Sequence, residues 1–155
     1  VADCAPRMIR KRLKTVLRDG RAIGPELIPE MLHALRIRCK MLRYTMEFFK
    51  PAYGQQLDAY IRKTVELQDL LGDHQDADVA IEILQAFLQT PDARRASPQT
   101  AAAIGELIAH KRIQAEQMRQ QFVGMWKAFD NKASRRLLFA ELSPLVLPTP
   151  SADLP

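Results

Sequence analysis

Apolar residues recur along most of the chain in steps of three and four, which is the period of an α-helix that buries one face. The alternation of apolar and polar residues that is typical of β-strands does not occur in any long run. The pattern therefore predicts an all-α fold, a compact bundle of about five main helices and one short helix. The main helices are expected over residues 7–19, 25–49, 54–71, 73–89 and 98–130, and the short one in the segment ASRRLLFAEL.

Glycine, proline and acidic residues indicate where these helices begin and end. The segment DGRAIGP should end the first helix, and Pro25 suits the first turn of the second. Gly72 is expected to cap the C-terminus of the third helix, and Asp73 the N-terminus of the fourth. We expect the bundle to occupy residues 1–142 and the proline-rich tail, residues 143–155, to be mobile.

The charge of the chain is concentrated in its first third. Residues 1–50 carry twelve Lys and Arg against five Asp and Glu, a net charge of +7, whereas residues 51–155 carry eleven against thirteen, a net charge of −2. A focused positive field favours a polyanionic partner such as nucleic acid, anionic lipid or polyphosphate. Aromatic residues make up only 6% of the chain, so a protein that reads nucleic-acid bases is disfavoured.

Five side chains of the second helix fall within an arc of roughly 100°. We call this set the basic stripe: His33, Arg36, Lys40, Arg43 and Tyr44. Because much of the rest of that helix is apolar, we expect the helix to be largely buried, and Glu47 is the only carboxylate on the charged side. The stripe should therefore border water or bind an anionic ligand.

A second basic set lies on the first helix, and we call it the first-helix row: Arg10, Lys14 and Arg18. The row and the basic stripe could together line an extended groove that suits a chain of phosphates, because Arg grips two oxygens and Lys supplies a compact charge. The competing interpretation is that both sets are ordinary solvated helix faces.

Other candidate chemistry is weak. The segment DHQDADV at residues 73–79 contains three carboxylates and His74, but it lacks the ligand order of a calcium loop and the spacing of a zinc site, so we interpret its acids as helix caps. Nucleophile elbows and glycine-rich phosphate loops are absent, so we expect no catalysis, no cofactor and no metal. Cys39 lies among apolar positions, where a thiol packs.

Membrane and secretion signals are also missing from the sequence. No apolar run approaches the roughly 20 residues that cross a bilayer, and the N-terminal segment has no apolar signal core. We therefore expect a cytoplasmic protein without a membrane partner.

Two segments carry a resemblance to a known family. LHALRIRCKMLRYTMEFF followed by LQDLLGDHQDADVA resembles the paired signature of the CHAD family, the conserved-histidine α-helical domain. The first segment matches at His33, Arg36, Lys40, Arg43, Tyr44 and Glu47, and the second at Leu67, Gln68, Leu71, Gly72, Asp76 and Val79. The resemblance covers about residues 7–141. This chain looks like one of the two repeats of a complete domain, so a second repeat or a second copy in a homodimer is expected to complete it.

The resemblance implies a helical bundle that binds inorganic polyphosphate without catalysis, often at polyphosphate granules. Carried onto this sequence, it implies phosphate contacts from His33, Arg36, Lys40 and Arg43, assisted by the first-helix row, and a structural role for Asp76. The alternative function is a helical interaction or regulatory module for an acidic protein or for an adjoining triphosphate or phosphohydrolase domain. Nonspecific nucleic-acid binding is a third, weaker hypothesis.

Overall fold

A computed structural model describes residues 4–142, with the side chains of residues 137 and 139–141 left out of the description. The predicted proline-rich tail, residues 143–155, lies outside the described residues. Within the described part there are six α-helices, four of them long, and no strand. The helices are α1 (Cys4–Ala22), α2 (Pro29–Tyr53), α3 (Asp58–Leu88), α4 (Pro91–Arg95), α5 (Pro98–Phe129) and α6 (Lys132–Glu141), with a 3₁₀ turn (Gly54–Leu57) between α2 and α3. The predicted all-α fold is therefore confirmed.

The predicted helix boundaries agree within one residue for α5 and α6, and they differ for the other helices. The second helix begins at Pro29 rather than Pro25, and it continues through Pro51 to Tyr53, past its predicted end at residue 49. Proline fits the first turn of a helix at either candidate position because the first backbone N–H groups need no partner there. The short helix α4 lies between the predicted helices over residues 73–89 and 98–130, where no helix was expected, and the Thr90 side chain caps it.

The larger error concerns α3, which was predicted as two helices broken at Gly72 and Asp73. The structure has one helix of 31 residues instead, and both residues lie in its middle. The acids of DHQDADV therefore do not cap a helix start, and that interpretation is wrong. A glycine inside a helix costs only about 1 kcal/mol relative to alanine, which the packing of the two halves of α3 against α2 and α5 outweighs.

The core lies where α1, α2 and α3 meet. Each helix buries one apolar stripe, and the fully buried side chains include Ile9, Leu13, Leu35, Leu42, Met46, Leu67 and Leu71. The helices α1 and α2 are antiparallel, because Asp19 near the end of α1 contacts Arg38 of α2 and Arg10 near the start of α1 acts on Tyr53 at the end of α2. Cys39 is buried, and its burial raises the pKa of the thiol to about 12, in agreement with a packing role.

The C-terminal end of α5 closes the bundle over α1. Phe122, Trp126 and Phe129 stack along α5, and the Trp126 ring lies directly against Gly20 of α1. Beside this contact the guanidinium of Arg21 donates two hydrogen bonds, 2.7 and 2.9 Å long, to the Asp130 carboxylate. These contacts join the first helix to residues more than one hundred positions away in the sequence.

One face of α2 departs from the expectation that this helix is largely buried. Ile37 is 38% exposed, Met41 is 42% exposed and Phe48 is 77% exposed. The neighbours α1 and α3 cover only the opposite side, which carries Leu35, Cys39 and the other core residues.

Candidate functional site

The basic stripe runs along α2 on the side that faces α3. Arg36 and Arg43 are half-buried, Lys40 is exposed, and the three cations lie within seven residues, or about 10 Å of helix. The Arg36 guanidinium lies against Gly72 of α3, where a Cβ atom built on the glycine would be 3.3 Å from Nε of Arg36. The helix therefore presents its cations at the edge of the α2–α3 interface rather than in open solvent.

Several nitrogen atoms of the basic stripe are closed off from water and have no hydrogen-bond partner within residues 4–142. These atoms are Nδ1 of His33, Nε of Arg36 and Nε of Arg43. Buried polar groups are nearly always paired, because an unpaired one costs about 1–3 kcal/mol. The two arginines therefore leave part of their hydrogen-bonding capacity unused by the described residues, while the buried nitrogens themselves are closed to a ligand from outside.

Little negative charge compensates the stripe. Arg36 forms no ion pair with any described residue, and Glu47 reaches Arg43 only at 3.6 Å, with its own side chain 44% exposed. An exposed pair of this kind contributes at most about 1 kcal/mol. Tyr44 lies beside the cations, with its ring centre 4.8 Å from Cζ of Arg43 and 5.7 Å from Nζ of Lys40, so it supports them through cation–π contact.

His33 stands at the start of the stripe in a different environment. It lines an open cavity of about 410 Å³ between α2 and α3, together with Glu30, Asp78 and Glu82. The positive surface is therefore strongest from Arg36 to Arg43, and it meets acidic side chains at the His33 end.

The first-helix row lies on a different side of the bundle. Arg10, Lys14 and Arg18 are all exposed, and the first two line an open groove of about 940 Å³ along α1. The ion pair between Arg38 and Asp19, 3.1 Å long, shows which side of α2 faces α1.

Arg38 is two residues from both Arg36 and Lys40, which is about 200° of rotation around α2. The basic stripe therefore points away from α1. The expectation that the two basic sets line one groove is not met in the described structure, because the contact between α1 and α2 separates them.

The histidine in the second motif has a structural environment. His74 is buried between α3 and α5, where its Nε2 atom accepts a hydrogen bond from Nε of Arg119 at 3.0 Å and its Nδ1 atom lies 3.2 Å from the Asp78 carboxylate. Burial lowers the pKa of His74, and the charge of Arg119 acts in the same direction, whereas Asp78 and Glu116 oppose the shift. A neutral His74 thus joins α3 to α5.

Two residues of the site were given no binding role by the sequence. Gly72 was interpreted as a helix end, although it forms the surface on which Arg36 rests. Gln68 lies one turn earlier on the same side of α3, and its Oε1 atom is buried without a hydrogen-bond partner within residues 4–142. The signal that could have identified them is the four-residue spacing itself, which places both on one face of an unbroken helix.

Metal binding and membrane insertion find no support in the part of the chain that the structure describes. Among residues 4–142, no three His, Cys, Asp or Glu side chains are grouped so that they could hold a metal ion. None of the described helices is both long enough and apolar enough to cross a bilayer.

Comparison with known proteins agrees with the arrangement of the two motifs on α2 and α3. A family model described as CHAD domain matches residues 1–85, more than half of the chain. Two proteins of Mycobacterium tuberculosis, Uncharacterized protein MT2285 of strain CDC 1551 / Oshkosh and Uncharacterized protein Rv2226 of strain ATCC 25618 / H37Rv, are each 32% identical to this chain over 134 residues. The match covers 86% of the chain and 24% of each relative, so the chain spans about a quarter of their length. No solved structure matches it significantly. With its signature residues on two packed helices and this family match, the chain belongs to the CHAD domain family.

Proposed function

We propose that this chain is a non-catalytic module that binds inorganic polyphosphate through the basic stripe. The observation that carries the proposal is the set of three cations Arg36, Lys40 and Arg43 on one side of α2, to which the described residues supply one carboxylate contact, from Glu47 to Arg43 at 3.6 Å. Membership of the CHAD family, which is linked in general to polyphosphate binding, supports the same ligand.

The chemistry of the stripe suits a linear chain of phosphates. Arg36 and Arg43 can each form two parallel hydrogen bonds to phosphate oxygens, and Lys40 between them adds a compact charge. The spacing of about 10 Å along the helix axis lets one extended anion contact all three cations. Because most of these contacts are charge-assisted, their strength should depend on ionic strength.

The first-helix row has a separate part in the proposal. Arg10, Lys14 and Arg18 are exposed on another side of the bundle, so they attract the polyanion over a distance or contact a different segment of a long chain. Their removal should therefore weaken the binding of long polyphosphate more than that of short oligophosphates.

The test compares two triple variants that remove the same charge. In Arg36→Ala/Lys40→Ala/Arg43→Ala the stripe is lost, and we expect the affinity for long-chain polyphosphate, measured by isothermal titration calorimetry, to fall more than about 100-fold. The control variant Arg94→Ala/Arg95→Ala/Arg112→Ala removes three exposed cations of α4 and α5 and should lose at most about tenfold, through long-range attraction alone.

Two results would count against the proposal. Equal losses in the two triple variants would show that only net charge matters, and an unchanged affinity in the stripe variant would place the ligand elsewhere. Repeating the titration at several salt concentrations should show a smaller salt slope for the stripe variant, because fewer counterions are exchanged. Competition with duplex DNA at fixed salt separates polyphosphate binding from nonspecific nucleic-acid binding.

A second candidate function is a helical interaction module for an acidic protein or for an adjoining triphosphate or phosphohydrolase domain. The apolar face of α2 favours it, since Ile37, Met41 and Phe48 are exposed next to the cations. Docked protein surfaces combine such apolar contacts with a charged rim. The variant Phe48→Asp separates the two functions, because it should abolish protein docking and leave polyphosphate bound through the neighbouring stripe.

A further inference from the structure

The contact between Gly72 and Arg36 gives the glycine a role that helix geometry does not require. Gly72 lies in the middle of α3, where glycine is less favourable than alanine. A Cβ atom built on it would lie 3.3 Å from Nε, 3.8 Å from Nη2 and 3.9 Å from Cζ of Arg36, and these are the nearest atoms apart from its two chain neighbours and the adjacent backbone of its own helix. The space that a side chain would fill at this position is therefore taken by the guanidinium.

Two other helix glycines differ from Gly72 in this respect. A Cβ atom built on Gly105 or Gly124 of α5 would meet no atom within 4 Å. A close approach also occurs at Gly20, where the neighbour is the Trp126 ring, so among the described helix glycines it is Gly72 that lies against a cation of the basic stripe. It also involves an arginine whose Nε atom is buried without a partner within residues 4–142.

We propose that Gly72 is a positioning residue for polyanion binding, which sets how deeply the Arg36 guanidinium sits against α3. This inference rests on the proposed function of the stripe. An alanine Cβ at residue 72 makes the guanidinium give way by a few tenths of an ångström, and a larger side chain pushes it further from the line on which Lys40 and Arg43 present their charges. Because the displaced group is the end of a flexible side chain, the fold accommodates the change while the spacing of the cations is altered.

Binding of long-chain polyphosphate to a graded series tests the inference. Arg36→Ala should weaken binding by about tenfold, as expected for the loss of charged hydrogen bonds. Gly72→Ala, which shifts the guanidinium without removing it, should cost about threefold, and Gly72→Leu should approach the loss of Arg36→Ala. The matched control Gly124→Ala makes the same substitution inside a helix with open space around it, and it should leave the affinity unchanged.

A double-mutant cycle asks whether the glycine acts through the arginine. If it does, Gly72→Ala has no further effect in the Arg36→Ala background, because the group that it displaces is already absent. An equal loss in both backgrounds would mean that Gly72 only supports helix packing, and the inference would be overturned. An affinity of Gly72→Ala equal to that of Gly124→Ala would overturn it as well.

A readout without ligand keeps this test separate from the test of polyphosphate binding. The Nε–H resonance of Arg36 in a ¹H–¹⁵N spectrum, assigned by its loss in Arg36→Lys, should shift and exchange faster with solvent in Gly72→Ala but not in Gly124→Ala. If the resonance shifts while wild-type protein fails to bind polyphosphate, the proposed function is wrong and the contact is real. If the resonance does not move, the positioning role is wrong even where polyphosphate binds.

Discussion

The substitution Gly20→Ala should destabilise the protein, although alanine is the better helix former. Gly20 lies near the end of α1, and a Cβ atom built on it would overlap three atoms of the Trp126 ring. The indole cannot yield freely, because it stacks between Phe122 and Phe129 at centroid distances of 6.1 and 5.7 Å. One added methyl group therefore disturbs the whole contact between α1 and α5.

The magnitude follows from two opposing terms. Replacement of glycine by alanine inside a helix gains about 0.5–1 kcal/mol. Forcing an extra methyl group into a packed contact costs about 1–3 kcal/mol, and each disturbed aromatic pair loses about 0.5–1.5 kcal/mol. We therefore expect Gly20→Ala to lower the free energy of unfolding by about 1–5 kcal/mol, whereas Gly105→Ala, which meets open space on α5, should raise it by about 0.5–1 kcal/mol.

Urea unfolding followed by circular dichroism measures both changes. Trp126 is the only tryptophan of the chain, so its fluorescence reports directly on the disturbed contact. In a Trp126→Ala background the overlap is gone, and Gly20→Ala should then be neutral or stabilising. The reasoning is refuted if Gly20→Ala is as stable as Gly105→Ala in the wild-type background, or if its cost is the same with and without the indole ring.

Two further predictions concern the titratable side chains of Asp130 and His74, both of which are mostly shielded from solvent. The two hydrogen bonds from Arg21 hold the pKa of Asp130 below its ordinary value, and Asp130→Asn weakens them. We expect this variant to lower the free energy of unfolding by about 1–2 kcal/mol at pH 7, which allows for the partial exposure of Arg21. That contribution is present above the ordinary pKa of 3.8 and is lost as the pH falls through the lower pKa of the folded state, which acid titration of both proteins by circular dichroism would show. Burial lowers the pKa of His74 in the folded protein. When the pH falls below the ordinary histidine pKa of 6.5, the unfolded chain therefore binds the proton more readily than the folded one. The free energy of unfolding then decreases by up to about 1.4 kcal/mol per pH unit. The variant His74→Gln should lose this part of the pH dependence in urea titrations between pH 7.5 and 5.5, and an unchanged slope would contradict the assignment.

The sequence was sufficient for the fold class and for most helix faces, because both depend on local periodicity. The positions of Ile9, Leu13 and Leu35 in the core follow from steps of three and four, and the structure buries all three. The predicted helix break at Gly72 was wrong, because the role of this glycine depends on a neighbouring helix and not on the pattern within α3. A glycine followed by an acid is typical of a helix boundary, but here the small residue makes room for a side chain of another helix.

The composition of the basic stripe could also be read from the sequence, but its surroundings could not. Helical spacing places Arg36, Lys40 and Arg43 on one face, and it says nothing about which neighbour that face meets. The ion pair between Asp19 and Arg38 shows that another side of α2 meets α1, so the stripe points away from that helix. Such a pair joins two helices, so no pattern within either helix predicts it.

The basic stripe has a consequence for how ionic strength acts on the protein. Arg36, Lys40 and Arg43 are like charges at spacings of four and three residues, an arrangement that destabilises a helix when no anion is present. Dissolved salt screens this repulsion and so stabilises the folded protein when no ligand is bound, while the same screening weakens the attraction between the stripe and a polyanion. A bound polyanion would instead stabilise the protein by mass action. High salt is therefore expected to raise the thermal stability of the ligand-free protein and to lower the affinity of the stripe for a polyanion.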